Sequence, residues 1–249
     1  MMRAALLLLL LACGAARADG LADLKAALAR AAGSSALKAQ VETRTWRKLG
    51  EGKEAEEESG QAGVTLDDGA RALAVSYSKS TLARIEGELR SKGKNPNSKT
   101  PTLTALAEID TRELLALTSA ASAMARSIER DAYKGERADS WQGAPARVLT
   151  FDAPITGLSE RQRKYAKTYS DVLEVWIGAD GMPLASRTRM SMTGRAFVVV
   201  SFAAQHEENC VYGSAGDHLL VLRKESRDSS SGAGEREERK VLTTLQALP

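Results

Sequence analysis

The sequence predicts an α+β protein built on a strongly curved antiparallel sheet, an incomplete barrel of about ten strands with helices covering its concave face. Three observations carry this expectation. The stretch from Asp171 to Phe202 reads as successive strands, in which Leu173, Val175 and Ile177 share one face while Glu174 and Trp176 point the other way. Short alternating segments recur along the rest of the chain, and strands in such number must curl or close. Between two sets of them lies one long amphipathic segment, Asp110 to Arg130, whose apolar positions repeat at helical spacing.

The chain opens Met1-Met2-Arg3, continues through an apolar run from Ala4 to Ala12 and reaches Ala16-Arg17-Ala18 before Asp19. This is the charge, apolar core and small-residue cleavage pattern of a secretory signal. Residues 1–18 are therefore expected to be a signal peptide and residues 19–249 a single periplasmic domain. The apolar run is shorter than the about 20 residues that a membrane span needs. The same residues carry an alternative route, because Leu10-Leu11-Ala12-Cys13 resembles a lipobox and would make Cys13 the acylated anchor of an outer-membrane lipoprotein. Cys13 and Cys210 are the only cysteines, so either route leaves the domain without an internal disulfide.

Leu21, Leu24, Ala27, Leu28 and Ala31 predict a short helix ending near Gly33, and the alternation from Ala36 to Leu49 predicts a long half-buried strand. The acidic run Glu54 to Glu58 is expected at a solvated hairpin tip. Ala62, Val64 and Leu66 lead to a turn at Asp67-Asp68-Gly69, after which Leu73, Val75 and Tyr77 alternate back. Thr81 to Lys92 has helical spacing in Leu82, Ile85 and Leu89, and Gly93 to Ser98 with Pro101 reads as a mobile loop. Asp110 with Glu113 opens one helix to Arg130, with Leu114, Leu117, Ala121, Met124 and Ile128 as its apolar stripe. Ala116, Ala120, Ala123 and Ala125 keep its other side small, so it can approach a sheet closely.

Trp141 to Pro145 reads as a turn into a strand from Ala146 to Phe151, and Ser159 caps a basic helical segment to Tyr169. Gly178 to Gly181 reverses the chain, Pro183 starts the returning strand, and Thr193-Gly194 is placed as a further turn before Phe197 to Phe202. A turn at Gly216-Asp217 precedes a strand from Leu219 to Arg223. Ser229 to Gly234 reads as a loop tip, and Val241 to Leu248 as the closing strand.

The 35 basic and 32 acidic residues nearly balance, and aromatic residues are 4% of the chain, so nucleic acid is not an expected partner. His206, Glu208 and Cys210 alternate on one strand at a spacing that a metal could use, with His218 as a fourth donor only if register placed it opposite. A polar strand face explains them as well, and no metal site is assigned. Ser35-x-x-Lys38 and Ser91-x-x-Lys94 match a serine-lysine spacing without the partner motifs of that enzyme class. No nucleophile elbow, Walker-type loop or dinucleotide fingerprint is present, so neither an enzyme nor a cofactor is expected. Met190 and Met192 are adaptable thioethers, placed on the same face as Leu184. With Leu173, Val175 and Ile177 they form the expected ligand-binding wall.

The secretion signal, the first helix with Leu24 and Leu28, the strand from Leu37, the helix between two sets of strands, and the hairpin Val175-Trp176-Ile177-x-x-Asp180-Gly181-x-Pro183-Leu184 together resemble the bacterial LolA/LolB-like lipoprotein carrier group. The resemblance implies a curved, incomplete barrel whose concave side, under helices, holds acyl chains. The chain differs in its greater length, in a larger loop from Lys92 to Thr102 and in an extended C-terminal pair of strands. The expected function is binding of a hydrophobic small molecule, a lipid or acyl chain, without catalysis and with only peripheral or anchored membrane contact. The alternative is a structural or protein-interaction module of the cell envelope with no ligand.

Overall fold

The computed structural model describes residues 19–69, 72–196 and 200–249. The signal segment with Cys13, and Phe197, lie outside the described residues. The chain forms α1 (Gly20–Arg30), β1 (Leu37–Leu49), β2 (Glu56–Gly69), β3 (Ala72–Ser76), α2 (Lys79–Lys94), α3 (Pro101–Leu106), α4 (Thr111–Thr118) and α5 (Ala120–Arg130). It continues as β4 (Ala132–Trp141), β5 (Ala144–Asp152), α6 (Glu160–Tyr165), β6 (Ala166–Ile177), β7 (Pro183–Ala196), β8 (Val200–Ala215), β9 (His218–Gly232) and β10 (Glu235–Ala247). The fold is thus α+β, with ten strands in one antiparallel sheet in the order β3-β2-β1-β10-β9-β8-β7-β6-β5-β4. The sheet is open: β3 and β4 are its edges.

The alternation that marks the strands also sorts their side chains. Ala39, Val41, Val64, Leu66, Leu149, Phe151, Val175, Ile177, Leu219, Val221 and Leu245 form one buried cluster with Leu24 and Leu28 of α1, Leu114 and Leu117 of α4, and Ala120, Ala121, Met124 and Ile128 of α5. Four helices, α1, α3, α4 and α5, therefore pack on one face of the sheet. Each fully buried Val, Leu or Ile contributes about 1.5–3 kcal/mol, so this cluster dominates the stability of the domain. The opposite face carries a smaller cluster, Ala146, Val148, Trp176 and Ala185, with Trp141 and Leu184 against it. Beside it Glu174 accepts hydrogen bonds from Arg137, Arg187 and Arg189, and the Arg187 guanidinium lies 5.5 Å from the Trp176 ring.

Asp19 caps α1 by accepting from the Leu21 and Ala22 amides. The helix is held to the sheet by Arg147 Nη2, 2.6 Å from Asp23 Oδ2, and by the Gly20 amide, which donates to Glu136 Oε2 at 3.0 Å. At the β6–β7 turn Gly181 has φ +80°, and a Cβ there would stand 2.6 Å from the Asp23 carbonyl oxygen. Only glycine lets α1 and this turn meet so closely.

Several expectations from the sequence are corrected. The segment Asp110 to Arg130 is two helices, because Ser119 leaves the helical region at φ −124° and ψ 47°. The Thr118 hydroxyl donates to the Leu114 carbonyl at the same point, an interaction that competes with regular helix. Pro101 opens α3 at its first position instead of lying in a loop, and Glu56 to Glu58 are strand residues opposite Arg47 to Leu49. Thr193 and Gly194 lie inside β7, and the serine-rich stretch lies in β9, which runs to Gly232. The helix after Ser159 stops at Tyr165, where β6 begins. β4 was not foreseen at all.

Candidate ligand cavity between the helices and the sheet

The small face of α4 and α5 determines where space remains. Ala116, Ala120 and Ala123 cannot reach the strands beneath them, and a cavity of about 170 Å³ lies between these alanines and β6 to β9. Leu117, Met124, Leu173, Val221 and the ring of Tyr212 supply most of the remaining apolar lining. The register explains why the floor residues meet: Val175 pairs with Ser186, Ser186 with Cys210 and Cys210 with Lys224, so residues far apart in sequence form one row across the sheet.

The polar groups in this row are satisfied. Tyr212 and Ser186 share a hydrogen bond of 2.8 Å between hydroxyls, and burial pushes the phenol well above its ordinary value. Lys224 Nζ lies 2.8 Å from Glu113 Oε2 of α4 and 3.0 Å from Glu208 Oε2 of β8. Desolvation alone would lower the ammonium, but the two carboxylates outweigh it and hold the lysine well above its ordinary range. The Cys210 thiol, 5% exposed, is raised by burial and by Glu208, so it is a neutral wall group and not a nucleophile. At one end of the cavity Arg130 pairs with Asp131 at 2.8 Å. Asp171, raised by desolvation, accepts from the Tyr169 hydroxyl at 3.2 Å. No buried side-chain polar atom among the described residues lacks a partner.

The six residues of the expected wall are distributed rather than gathered. Leu173 lines the cavity; Val175 and Ile177 lie beneath the helices in the packed cluster. Met192 is buried, and Leu184 packs against the Trp176 cluster on the opposite face, next to the register shift between Trp176 and Ile177. Met190 borders a separate groove of about 590 Å³ whose rows, Arg189-Glu207-Arg227-Lys240 and Ser191-Gln205-Ser229-Glu238, run across the helix-free face. Both spaces are mixed in character: charged side chains line the groove, and Glu113, Arg130, Asp131, Asp171, Glu208 and Lys224 line the cavity beneath α4 and α5 beside its apolar side chains.

His206, Glu208 and Cys210 share a face of β8, but His206 Nδ1 is paired with Asp228 at 2.7 Å and Glu208 is taken by Lys224. His218 is opposite Ala215, and its Nε2 lies 2.8 Å from the Ser35 carbonyl oxygen. Among the described residues no group of three or more His, Cys, Asp or Glu side chains is placed to hold a metal ion. Ser186, Tyr212 and Lys224 were missed by sequence reasoning because only strand register brings them together, and Glu113 meets Lys224 only through the packing of α4 on β9. The alanine face of the helix was the one signal that could have found the site. No family profile, curated protein or solved structure matches the chain.

Proposed function

We propose that this is a non-enzymatic periplasmic protein that shelters a hydrophobic ligand, a lipid or acyl chain, beneath α4 and α5, in the manner of the LolA/LolB-like carriers it resembles. In this reading the sheet is strongly curved and the helices cover its concave face. The observation that carries the proposal is the cavity of about 170 Å³ beneath Ala116, Ala120 and Ala123, with an apolar part formed by Leu117, Met124, Leu173 and Val221. An apolar cavity of about 150 Å³ accommodates a benzene-sized guest, so this one takes the end of a chain, about six carbons. At about 0.8 kcal/mol per methylene that segment contributes roughly 5 kcal/mol, corresponding to sub-millimolar binding. A longer ligand requires α4 and α5 to lift, and the break at Ser119 is the place where they would flex.

Native mass spectrometry of the purified protein, with analysis of its organic extract, tests this. The expected result is a co-purifying fatty acid or lipid that is lost in the cavity-filling variant Ala123→Leu while the fold, read by circular dichroism, is kept. A protein free of ligand in both forms, and unable to take up a fluorescent fatty acid, would refute the proposal. That outcome would favour the second reading, a ligand-free structural or interaction module of the envelope. The close packing of Leu24, Leu28, Leu114 and Ile128 over most of the helix-covered face supports that reading.

A further inference from the structure

The sequence places Leu82, Ile85 and Leu89 on one side of α2, a spacing that normally marks the buried face of a helix. In the structure Leu82 and Leu89 of this stripe are turned outward, and Ile85 is half-buried. Leu82 is 45% exposed and Leu89 53%, while the buried position of α2 is Thr81. Val75, at 37%, and Tyr77, at 45%, lie in the short edge strand and the link that precede the helix. Of the nine large apolar side chains exposed among the described residues, four thus fall within residues 75–89. Scattered exposed leucines need no explanation, but a run of this kind marks a contact surface.

The charges of α2 are positive on balance. α2 carries Lys79, Arg84, Arg90, Lys92 and Lys94 against Glu86 and Glu88. Glu86 is paired with Arg90 at 3.7 Å. Glu88 is turned toward the protein, where its two carboxylate oxygens accept the Thr102 and Leu103 amides at 2.8 and 3.1 Å and so cap α3. Lys79, Lys92 and Lys94 make no ion pair among the described residues. A helix with an exposed leucine stripe and unpaired lysines at both ends matches a surface that is apolar below and anionic above.

We propose that α2 is a membrane-docking helix that lays Leu82 and Leu89 into the headgroup boundary of a bilayer containing anionic lipid, with Lys79, Lys92 and Lys94 over the phosphates. The chemistry commits to a lipid surface over a protein groove because the five cations of α2 outnumber its two carboxylates, of which Glu86 is paired with Arg90 and Glu88 is turned onto α3. This site is separate from the cavity beneath α4 and α5, and it stands whether or not that cavity takes a ligand.

Co-sedimentation with vesicles tests the proposal, using protein carrying Cys13→Ser so that no acyl anchor contributes. The protein is expected to sediment with mixed phosphatidylcholine and phosphatidylglycerol vesicles, to be released by raised salt and to ignore pure phosphatidylcholine. The double variant Leu82→Asp/Leu89→Asp should lower the partition coefficient at least about tenfold, and Lys92→Glu/Lys94→Glu should weaken it with the circular dichroism spectrum unchanged. Absence of binding to the mixed vesicles, equal binding to neutral ones, or unaltered binding by both double variants would overturn it. So would a concentration-dependent dimer that the leucine substitutions abolish, since the stripe would then belong to a second copy of the chain.

Discussion

His206 illustrates how a single side chain on β8 ties stability to pH. Its Nδ1 lies 2.7 Å from Asp228 Oδ1 on the neighbouring strand, and this hydrogen bond, opposed by desolvation, raises the imidazole above its ordinary value of 6.5. The folded state then binds the proton more tightly than the unfolded state. The resulting stabilisation is complete below the unfolded value and is lost as pH rises through the higher folded value. Urea midpoints are therefore expected to fall from slightly acid to slightly alkaline pH, and His206→Gln should flatten that slope. The residue type and its strand were legible in the sequence, but its partner was not. Asp228 lies in a stretch whose serines and glycines resemble a loop, and only the pairing of β8 with β9 places it opposite.

At the scale of elements, the existence of strands was read more reliably than the position of turns, since Thr193-Gly194 lies inside β7 and Asp67 to Gly69 inside β2. The β4–β5 hairpin turns through Gln142 and Gly143, at φ 51° and 84°, and the β9–β10 hairpin through Ala233 and Gly234, at φ 53° and 84°. Both first positions lie in the left-handed region that asparagine tolerates and Gln or Ala does not. Gln142→Asn and Ala233→Asn are each expected to add roughly 0.5 kcal/mol, and the two distant changes should sum in the urea midpoint. The sequence reading missed β4 because the strand is an edge, wet on nearly every side chain, so no alternation of apolar and polar residues announces it. For α2 the helical spacing was read correctly, and Leu82 and Leu89 of its stripe nevertheless remain in solvent.

For the whole molecule, local pattern predicts the number of strands but not their order. β4 to β10 form a meander, and β1 to β3 another, and the two are joined by the pairing of β10 with β1 from Ala39↔Ala247 to Leu49↔Glu237. Thr43 and Thr243 meet there through a hydroxyl contact of 3.3 Å, and Val41 faces Leu245. This long-range register is not encoded in any window of the sequence, which is why the cavity floor could not be assembled from it either. Removing residues 235–249 is expected to abolish cooperative unfolding in circular dichroism melts, because it opens two new edges in the middle of the sheet. A truncation that retained a sharp transition would mean that the meander from β4 to β9 is stable alone.

The seam made by β10 sets a schedule for folding. The opening strands are made early, yet β1 stays unclasped on its outer flank until the final segment arrives. Until then its free flank is a template for wrong partners, and loop closure over almost the entire polypeptide must precede the reward. Slow acquisition of protease resistance, gained only with the tail, is the kinetic mark such a clasp leaves.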